Sequence, residues 1–301
     1  MFMIDTSKYP VFKGSLVAMV TPMTPSGDID RDAFKNLIDW HVVEGSDALI
    51  IVGTSGESPT IDFNEHVELV SLAVDHSAGR IPIIAGTGGN STKEAIFLAN
   101  HAHKAGASAG LSVVPYYNKP TQEGLFQHYK AISENSELPI ILYNVPGRTV
   151  IDMKNDTVLR LSELQNIIGL KDATGDISRI TELVSNKPEH FQIYSGDDLT
   201  AAALILLGAQ ANITVTGNVA PKLMHELCLA ALEGNILKVR EINSKLDELN
   251  HLLFKEPNPI PVKYAVHKIG KSQLGYRLPL TKITDGLAGK IDQSLKNLNL
   301  I

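Results

Sequence analysis

Ile167-Ile168-Gly169-Leu170-Lys171-Asp172-Ala173-Thr174-Gly175-Asp176 reads as one strand-to-helix step. The short apolar run is a buried strand, it ends on a lysine, and glycine with acidic residues then supplies turn chemistry. Residues 177–185 follow with helical periodicity. A lysine at such a junction stands on the rim of a sheet with its stem in apolar surroundings. Desolvation disfavours an ammonium and makes the neutral amine, the nucleophile of Schiff-base formation, more accessible. On these ten residues alone the plainer reading, an exposed lysine closing a strand, stands ahead of chemistry. The case for chemistry has to come from the rest of the chain.

Working outward, the same alternation recurs. Apolar, β-branched runs at residues 16–20, 48–52, 81–85, 111–114, 140–143, 167–171, 191–194 and 211–215 read as strands. Between them, residues 31–44, 64–76, 92–104, 122–135, 155–161, 177–185 and 199–207 carry helical patterns. Strand and helix in strict alternation indicate parallel βαβ units. Eight units predict an α/β fold, a closed (β/α)8 TIM barrel over residues 1–220, better than an open doubly wound sheet, whose glycine fingerprint is missing. After residue 219 the strands stop. Residues 221–232, 236–254, 261–269 and a segment from 281 read as helices punctuated by Pro257, Pro259, Pro261, Gly234 and Gly270, which predicts a helical appendage over residues 221–301.

Bulk properties exclude several classes. A net charge of -6 with no basic cluster argues against nucleic-acid binding. No apolar run is long enough for a bilayer, and Met1 to Pro10 lacks a signal-peptide core. The single cysteine, Cys228, excludes an internal disulfide and fits a reducing cytoplasm; its apolar helical context reads as packing.

In such a barrel the active site lies at the C-terminal ends of the strands. That rim gathers Gly53-Thr54-Ser55-Gly56-Glu57-Ser58, Pro115-Tyr116-Tyr117-Asn118, Tyr143-Asn144-Val145-Pro146-Gly147-Arg148, Lys171 and Ser195-Gly196-Asp197-Asp198. Hydroxyls and phenols beside a lysine suit imine chemistry, which needs several proton transfers. The backbone of residues 53–56 offers N–H groups for a carboxylate. Any one hydroxyl taken singly is as well explained by loop capping. Arg148, after a Pro-Gly turn, is either a surface residue or a fixed fork for a carboxylate. Competing motifs fail. The nucleophile-elbow position after Gly56 is Glu57, the Walker glycine is Ala265, and the dinucleotide pattern breaks at Ser91. None of the histidines forms a metal-type helix pair with an adjacent acid; His101 and His103 diverge, so neither a metal nor another cofactor is expected.

Together these residues resemble the pyruvate-dependent class I aldolase superfamily, which includes the N-acetylneuraminate lyases, and most closely its dihydrodipicolinate synthase (4-hydroxy-tetrahydrodipicolinate synthase) family. The motifs are Gly53-Thr54-Ser55-Gly56-Glu57, Tyr143-Asn144-Val145-Pro146, the lysine stretch, and Glu256-Pro257-Asn258-Pro259-Ile260-Pro261-Val262-Lys263, and the likeness runs from Gly14 almost to the C-terminus. The resemblance implies a lyase of lysine and diaminopimelate biosynthesis that condenses pyruvate with L-aspartate 4-semialdehyde. Lys171 would form the imine and Tyr143 would relay its protons. Thr54 would bridge Tyr143 to Tyr117, which in this family arrives from the neighbouring subunit of a dimer, itself half of a homotetramer. Ser55 would hold the pyruvate carboxylate, Gly196 and Ile213 would lend carbonyls, and Arg148 would meet the carboxylate of the semialdehyde. A sugar-acid lyase of the same superfamily is the alternative, but those enzymes typically lack the arginine. A barrel that merely binds a keto acid would need Lys171 or Tyr143 replaced.

The resemblance also implies a feedback site for L-lysine at the dimer interface, built here from Ser58, Pro59, Phe63, His66, Asn90, Glu94 and Tyr116. Phe63 stands where lysine-sensitive bacterial members often carry a histidine, and Pro59 is unusual, so lysine binding is expected to be weakened rather than lost. Ser55 replaces the family's usual second threonine and keeps its hydroxyl.

Overall fold

The computed structural model describes residues 9–301; most of the N-terminal stretch read above for a leader, residues 1–8, lies outside the described residues. Eight strands are present: β1 (Gly14–Ala18), β2 (Ala48–Ile51), β3 (Ile83–Gly86), β4 (Ala109–Val113), β5 (Ile140–Asn144), β6 (Ile167–Asp172), β7 (Gln192–Ser195) and β8 (Ala211–Thr214). They pair in chain order, and β8 closes in parallel on β1. The helices between them are α1 (Arg31–Val43), α2 (Phe63–Ser77), α3 (Thr92–Ala105), α4 (Gln122–Glu134), α5 (Pro146–Thr149), α6 (Asn155–Ser162), α7 (Ile177–Asn186) and α8 (Ala201–Leu206). This is the (β/α)8 barrel that the alternation predicts, with element ends displaced by a couple of residues.

Helix starts follow side-chain caps. Asp30, Ser91, Thr121 and Asp176 each accept a hydrogen bond from a first-turn amide, and Asp62 and Glu65 form a reciprocal capping box. Helix α5 departs from the sequence reading, which left residues 146–149 as a turn. Proline at the first helical position is compatible with a helix start, and a single turn forms there.

Along each strand, alternate residues face the barrel interior and the helix layer. Leu16, Ile50, Leu111, Ile141 and Tyr143 pack inside, whereas Val17, Leu49, Ile51 and Leu142 pack outward. Strand β6 breaks this rhythm. Ile168 faces in, yet Leu170, two residues later, faces out. Ile140 pairs with Ile167 while Ile141 pairs with Gly169, so Ile168 is an extra residue, a β-bulge. The bulge resets the phase so that Lys171 falls on the inward face, in register with Tyr143. Gly169 permits it: a Cβ there would lie 2.6 Å from the Gln192 carbonyl oxygen and 3.0 Å from the Tyr194 ring.

The C-terminal helices are α9 (Pro221–Leu232), α10 (Ile236–Leu252), α11 (Ile260–Lys268) and α12 (Asp285–Asn297). Helix α9 packs on β1 and α8 as well as on α10, and α12 packs on α10 and α11. Dividing the chain after residue 220 is a proposal about organisation, since α9 belongs to both layers. The last helix starts later than its sequence pattern, after Thr284, whose hydroxyl and amide engage Glu256. No helix among the described residues is long and apolar enough to cross a membrane.

One buried histidine makes stability pH-dependent. His41 is fully buried, its Nδ1 lies 3.0 Å from the Ser46 hydroxyl, and its Nε2 has no partner among the described residues. Burial pushes its pKa down to about 3 from 6.5. The unfolded chain therefore takes up the proton first. Its contribution to stability is complete above pH 6.5 and declines as pH falls toward 3, by about 1.4 kcal/mol per pH unit. Denaturant midpoints of the wild type should fall below pH 6.5 more steeply than those of His41→Asn; equal slopes would contradict this assignment.

Candidate active site

A cavity of about 620 Å³ opens at the C-terminal ends of the strands. Lys171, Tyr143, Thr54, Ser55, Arg148 and Gly196 all line it. The structure thus brings together most of the residues singled out from the sequence.

Lys171 is 4% exposed and its Nζ stands 4.3 Å from the centroid of the Tyr143 ring. A cation over the electron-rich face of an aromatic ring is an attractive geometry. Among the described residues Lys171 forms no ion pair, which leaves its amine free for a ligand. Gly196 sits against it, and a Cβ there would come 2.8 Å from Lys171 Cε. Only glycine leaves room for the lysine stem.

The strand ends are braced from outside the barrel. Asn144 and Asp172 follow Tyr143 and Lys171 and face the helices. Asn144 Nδ2 donates to Asp172 at 3.2 Å and to Asp152 at 2.9 Å, and Asn144 Oδ1 accepts from the Met153 amide. Arg179 of α7 pairs with Asp152 at 2.7 Å and Asp172 at 3.4 Å, and the Thr174 amide donates to Asp172. The network ties β5, β6, α7 and the segment carrying Arg148 into one unit. Polar groups that satisfy each other when buried rigidify their surroundings.

The loop after β2 is shaped by its own amides. Gly56 and Glu57 donate to the carbonyls of Gly53 and Thr54, a tight turn that leaves the Thr54 and Ser55 amides unused within it. Glu57 holds a left-handed backbone (φ 60°) and buries its carboxylate against Lys263 of α11. The Arg277 amide donates to the same carboxylate at 3.2 Å, and the Arg277 guanidinium forks onto Glu65 with two 2.6 Å bonds. Burial draws the Lys263 pKa down, and the Glu57 charge opposes that shift. Arg277 in turn holds the Glu65 carboxyl below the usual range.

From the appendage, Asn258 reaches the cavity wall. Its Nδ2 lies 3.1 Å from the Ser55 hydroxyl, and its main-chain carbonyl accepts from Arg148 Nη2 at 2.9 Å. The ion pair and Asn258 were missed as functional groups in the sequence. The one signal was a lysine and an asparagine within the proline-rich run that carried the resemblance.

Two expected residues are elsewhere. Tyr117 is 91% exposed with φ 73° and does not line the cavity of its own chain. A bulky residue in the left-handed region carries backbone strain, which is common where function demands a position. Ile213 is packed in the barrel interior, not on the cavity wall. Of the expected lysine-binding set, Ser58 lines the cavity edge. His66 Nε2 lies 2.7 Å from the Gly86 carbonyl oxygen, and burial lowers its pKa. The Asn90 carbonyl accepts from Asn118, Glu94 lies in the first turn of α3, and Tyr116 is partly exposed. The Phe63 ring packs at a tilt against Phe97, whose ring stacks on His101.

Residues 11–298 match the model of the Dihydrodipicolinate synthetase family. The chain is 58% identical to the 4-hydroxy-tetrahydrodipicolinate synthase of Dechloromonas aromatica over 96% of its own length and 99% of the relative's. It is 59% identical to that of Aromatoleum aromaticum, with 90% and 93% covered. Among solved structures it is similar to the chloride-inhibited dihydrodipicolinate synthase of Acinetobacter baumannii complexed with pyruvate: TM-score 0.95, 48% identity, 97% and 100% covered. It is also similar to the Cyanidioschyzon merolae enzyme with lysine bound: TM-score 0.93, 34% identity, 96% and 99% covered.

Proposed function

The chain belongs to the dihydrodipicolinate synthetase family, and from that membership we propose that it condenses pyruvate with L-aspartate 4-semialdehyde to 4-hydroxy-tetrahydrodipicolinate, with Lys171 as the imine-forming residue. The observation that carries the assignment of Lys171 is its placement. A bulge turns it inward, it is buried without an ion-pair partner among the described residues, and a phenol ring lies 4.3 Å from its Nζ.

In this reading the Lys171 amine attacks C2 of pyruvate, and one water leaves as the imine forms. Loss of a C3 proton gives the enamine, whose C3 bonds to the aldehyde carbon of the semialdehyde. The amine of that substrate then attacks the former pyruvate C2 and expels the Lys171 amine, closing the ring. Atoms balance: the two substrates lose one water in all. Tyr143 carries protons to and from the imine, Thr54 connects it to the partner subunit's Tyr117, and Ser55 holds the pyruvate carboxylate. Gly196 contributes a carbonyl at the cavity wall. Exposure of Tyr117 on its own chain supports a dimer in which it completes the neighbouring site; a homotetramer of two such dimers, in a cytoplasmic setting that suits the lone cysteine, follows the family pattern.

Arg148 decides between this reaction and sugar-acid cleavage. Pyruvate loss should occur with aspartate semialdehyde and not with N-acetylmannosamine or glyceraldehyde. In Arg148→Ala, kcat/KM for the semialdehyde should fall about 10–100-fold, the worth of a lost charged contact. Turnover only with the sugar aldehyde would move the chain to the lyase branch. Adding L-lysine to the same assay tests its feedback. Weak inhibition is expected, because Phe63 packs its ring against Phe97 where a polar partner would serve better. Full inhibition at micromolar lysine would refute that role for Phe63.

A further inference from the structure

Ser55 and Arg148 stand on different strand-end loops, after β2 and β5, yet one residue touches both. Asn258 donates from its side chain to the Ser55 hydroxyl (3.1 Å) and accepts through its main chain from Arg148 Nη2 (2.9 Å). It is buried, lines the cavity, and begins the turn into α11. Five residues on, Lys263 pins the same loop through Glu57. The appendage therefore grips the β2 loop twice.

The Asn258 side chain makes a single hydrogen bond among the described residues, the one to Ser55. Its Oδ1 has no hydrogen-bond partner among the described residues, although it is buried. A leftover buried acceptor costs stability, and an apolar residue of the same shape would carry no such penalty. What the amide does achieve is a hydrogen bond that restrains the Ser55 hydroxyl, while the main chain of the same residue holds the Arg148 guanidinium. Sub-ångström placement of substrate-holding groups is worth large factors in rate and binding.

We infer that Asn258 is a positioning residue that locks Ser55 against Arg148, so that the groups holding the two substrate carboxylates sit at a fixed spacing. The inference rests on the reading of Ser55 and Arg148 as the carboxylate-holding groups. Substituting the side chain cuts the link to Ser55 and leaves the main-chain link to Arg148 intact.

Asn258→Leu keeps the side chain's heavy-atom count and branching and removes the orphaned acceptor, and a thermal melt verifies that it folds; Asn258→Ala, which adds no bulk, provides a second variant. Pyruvate KM should rise about tenfold in either, while kcat at saturating pyruvate and semialdehyde KM move less than about threefold. In a Ser55→Ala background the same substitution should raise pyruvate KM no further, because the contact through which Asn258 acts is already gone. Additive effects, or an unchanged pyruvate KM in both single variants, would overturn the inference. Borohydride trapping of pyruvate on the wild type is run alongside. If the wild type does not trap, the reading of the site itself fails; if it traps and the cycle is additive, only the role of Asn258 fails.

Discussion

Lys171→Arg should lower kcat/KM by at least about 10⁴-fold while leaving the fold intact. Arginine keeps the positive charge and most of the stem, so packing against Gly196 and the attraction to the Tyr143 ring change modestly. What disappears is the chemistry: a guanidinium stays protonated and cannot add to a ketone. Removing a covalent nucleophile typically leaves only the catalysis that binding and electrostatics supply. Tyr143→Phe separates the second role. It keeps the ring 4.3 Å from the lysine amine and deletes the hydroxyl, and a lost proton relay is worth about 10²–10⁴-fold. Steady-state assay with purified variants of unchanged melting behaviour measures both. Substantial turnover by Lys171→Arg would mean that the imine forms elsewhere or not at all.

The second large effect concerns stability. Lys263 and Glu57 are 1% and 0% exposed at their side chains, and they contact each other directly. Lys263→Met leaves a carboxylate sealed in the protein whose remaining hydrogen-bond donors, among the described residues, are the Arg277 amide and the Thr60 hydroxyl. Breaking a buried pair from one side costs about 3–5 kcal/mol. The double variant Glu57→Gln with Lys263→Met removes both charges and should recover most of that loss, since replacing a buried pair with neutral groups is often neutral in stability. Denaturant unfolding of the three proteins measures the cycle. A Lys263→Met midpoint close to the wild type would show that water reaches Glu57 and that the pair is not sealed.

The barrel was legible because parallel strands covered on both faces read as short continuous apolar runs, and the helices between them carry strong periodicity. The bulge was not. Ile167-Ile168-Gly169-Leu170-Lys171 is equally consistent with a regular strand, and only the pairing with β5 reveals the extra residue that turns Lys171 inward. Helix α5 was hidden by a Pro-Gly pair that is ordinary turn chemistry. At the site, residues at or a few positions beyond the C-terminal end of a strand could be placed on the rim from the barrel rule, which covers Lys171, Tyr143, Thr54 and Arg148. Asn258 and Lys263 are some 200 residues from their partners Ser55 and Glu57, and no local pattern reports a contact at that separation. The brace from Asp172 to Arg179 and Asp152 was invisible for a similar reason: Asp172 and Asp176 look alike as turn acids, yet one is buried in a network and the other caps α7.

The central claim is that Lys171 is the covalent residue. Incubating the wild type with pyruvate and borohydride, then mapping the modified peptide by mass spectrometry, tests it most directly. Reduction of the imine should attach the three-carbon acid at Lys171 alone, and Lys171→Arg should remain unmodified. Attachment at another lysine, or none with pyruvate present, would contradict the account.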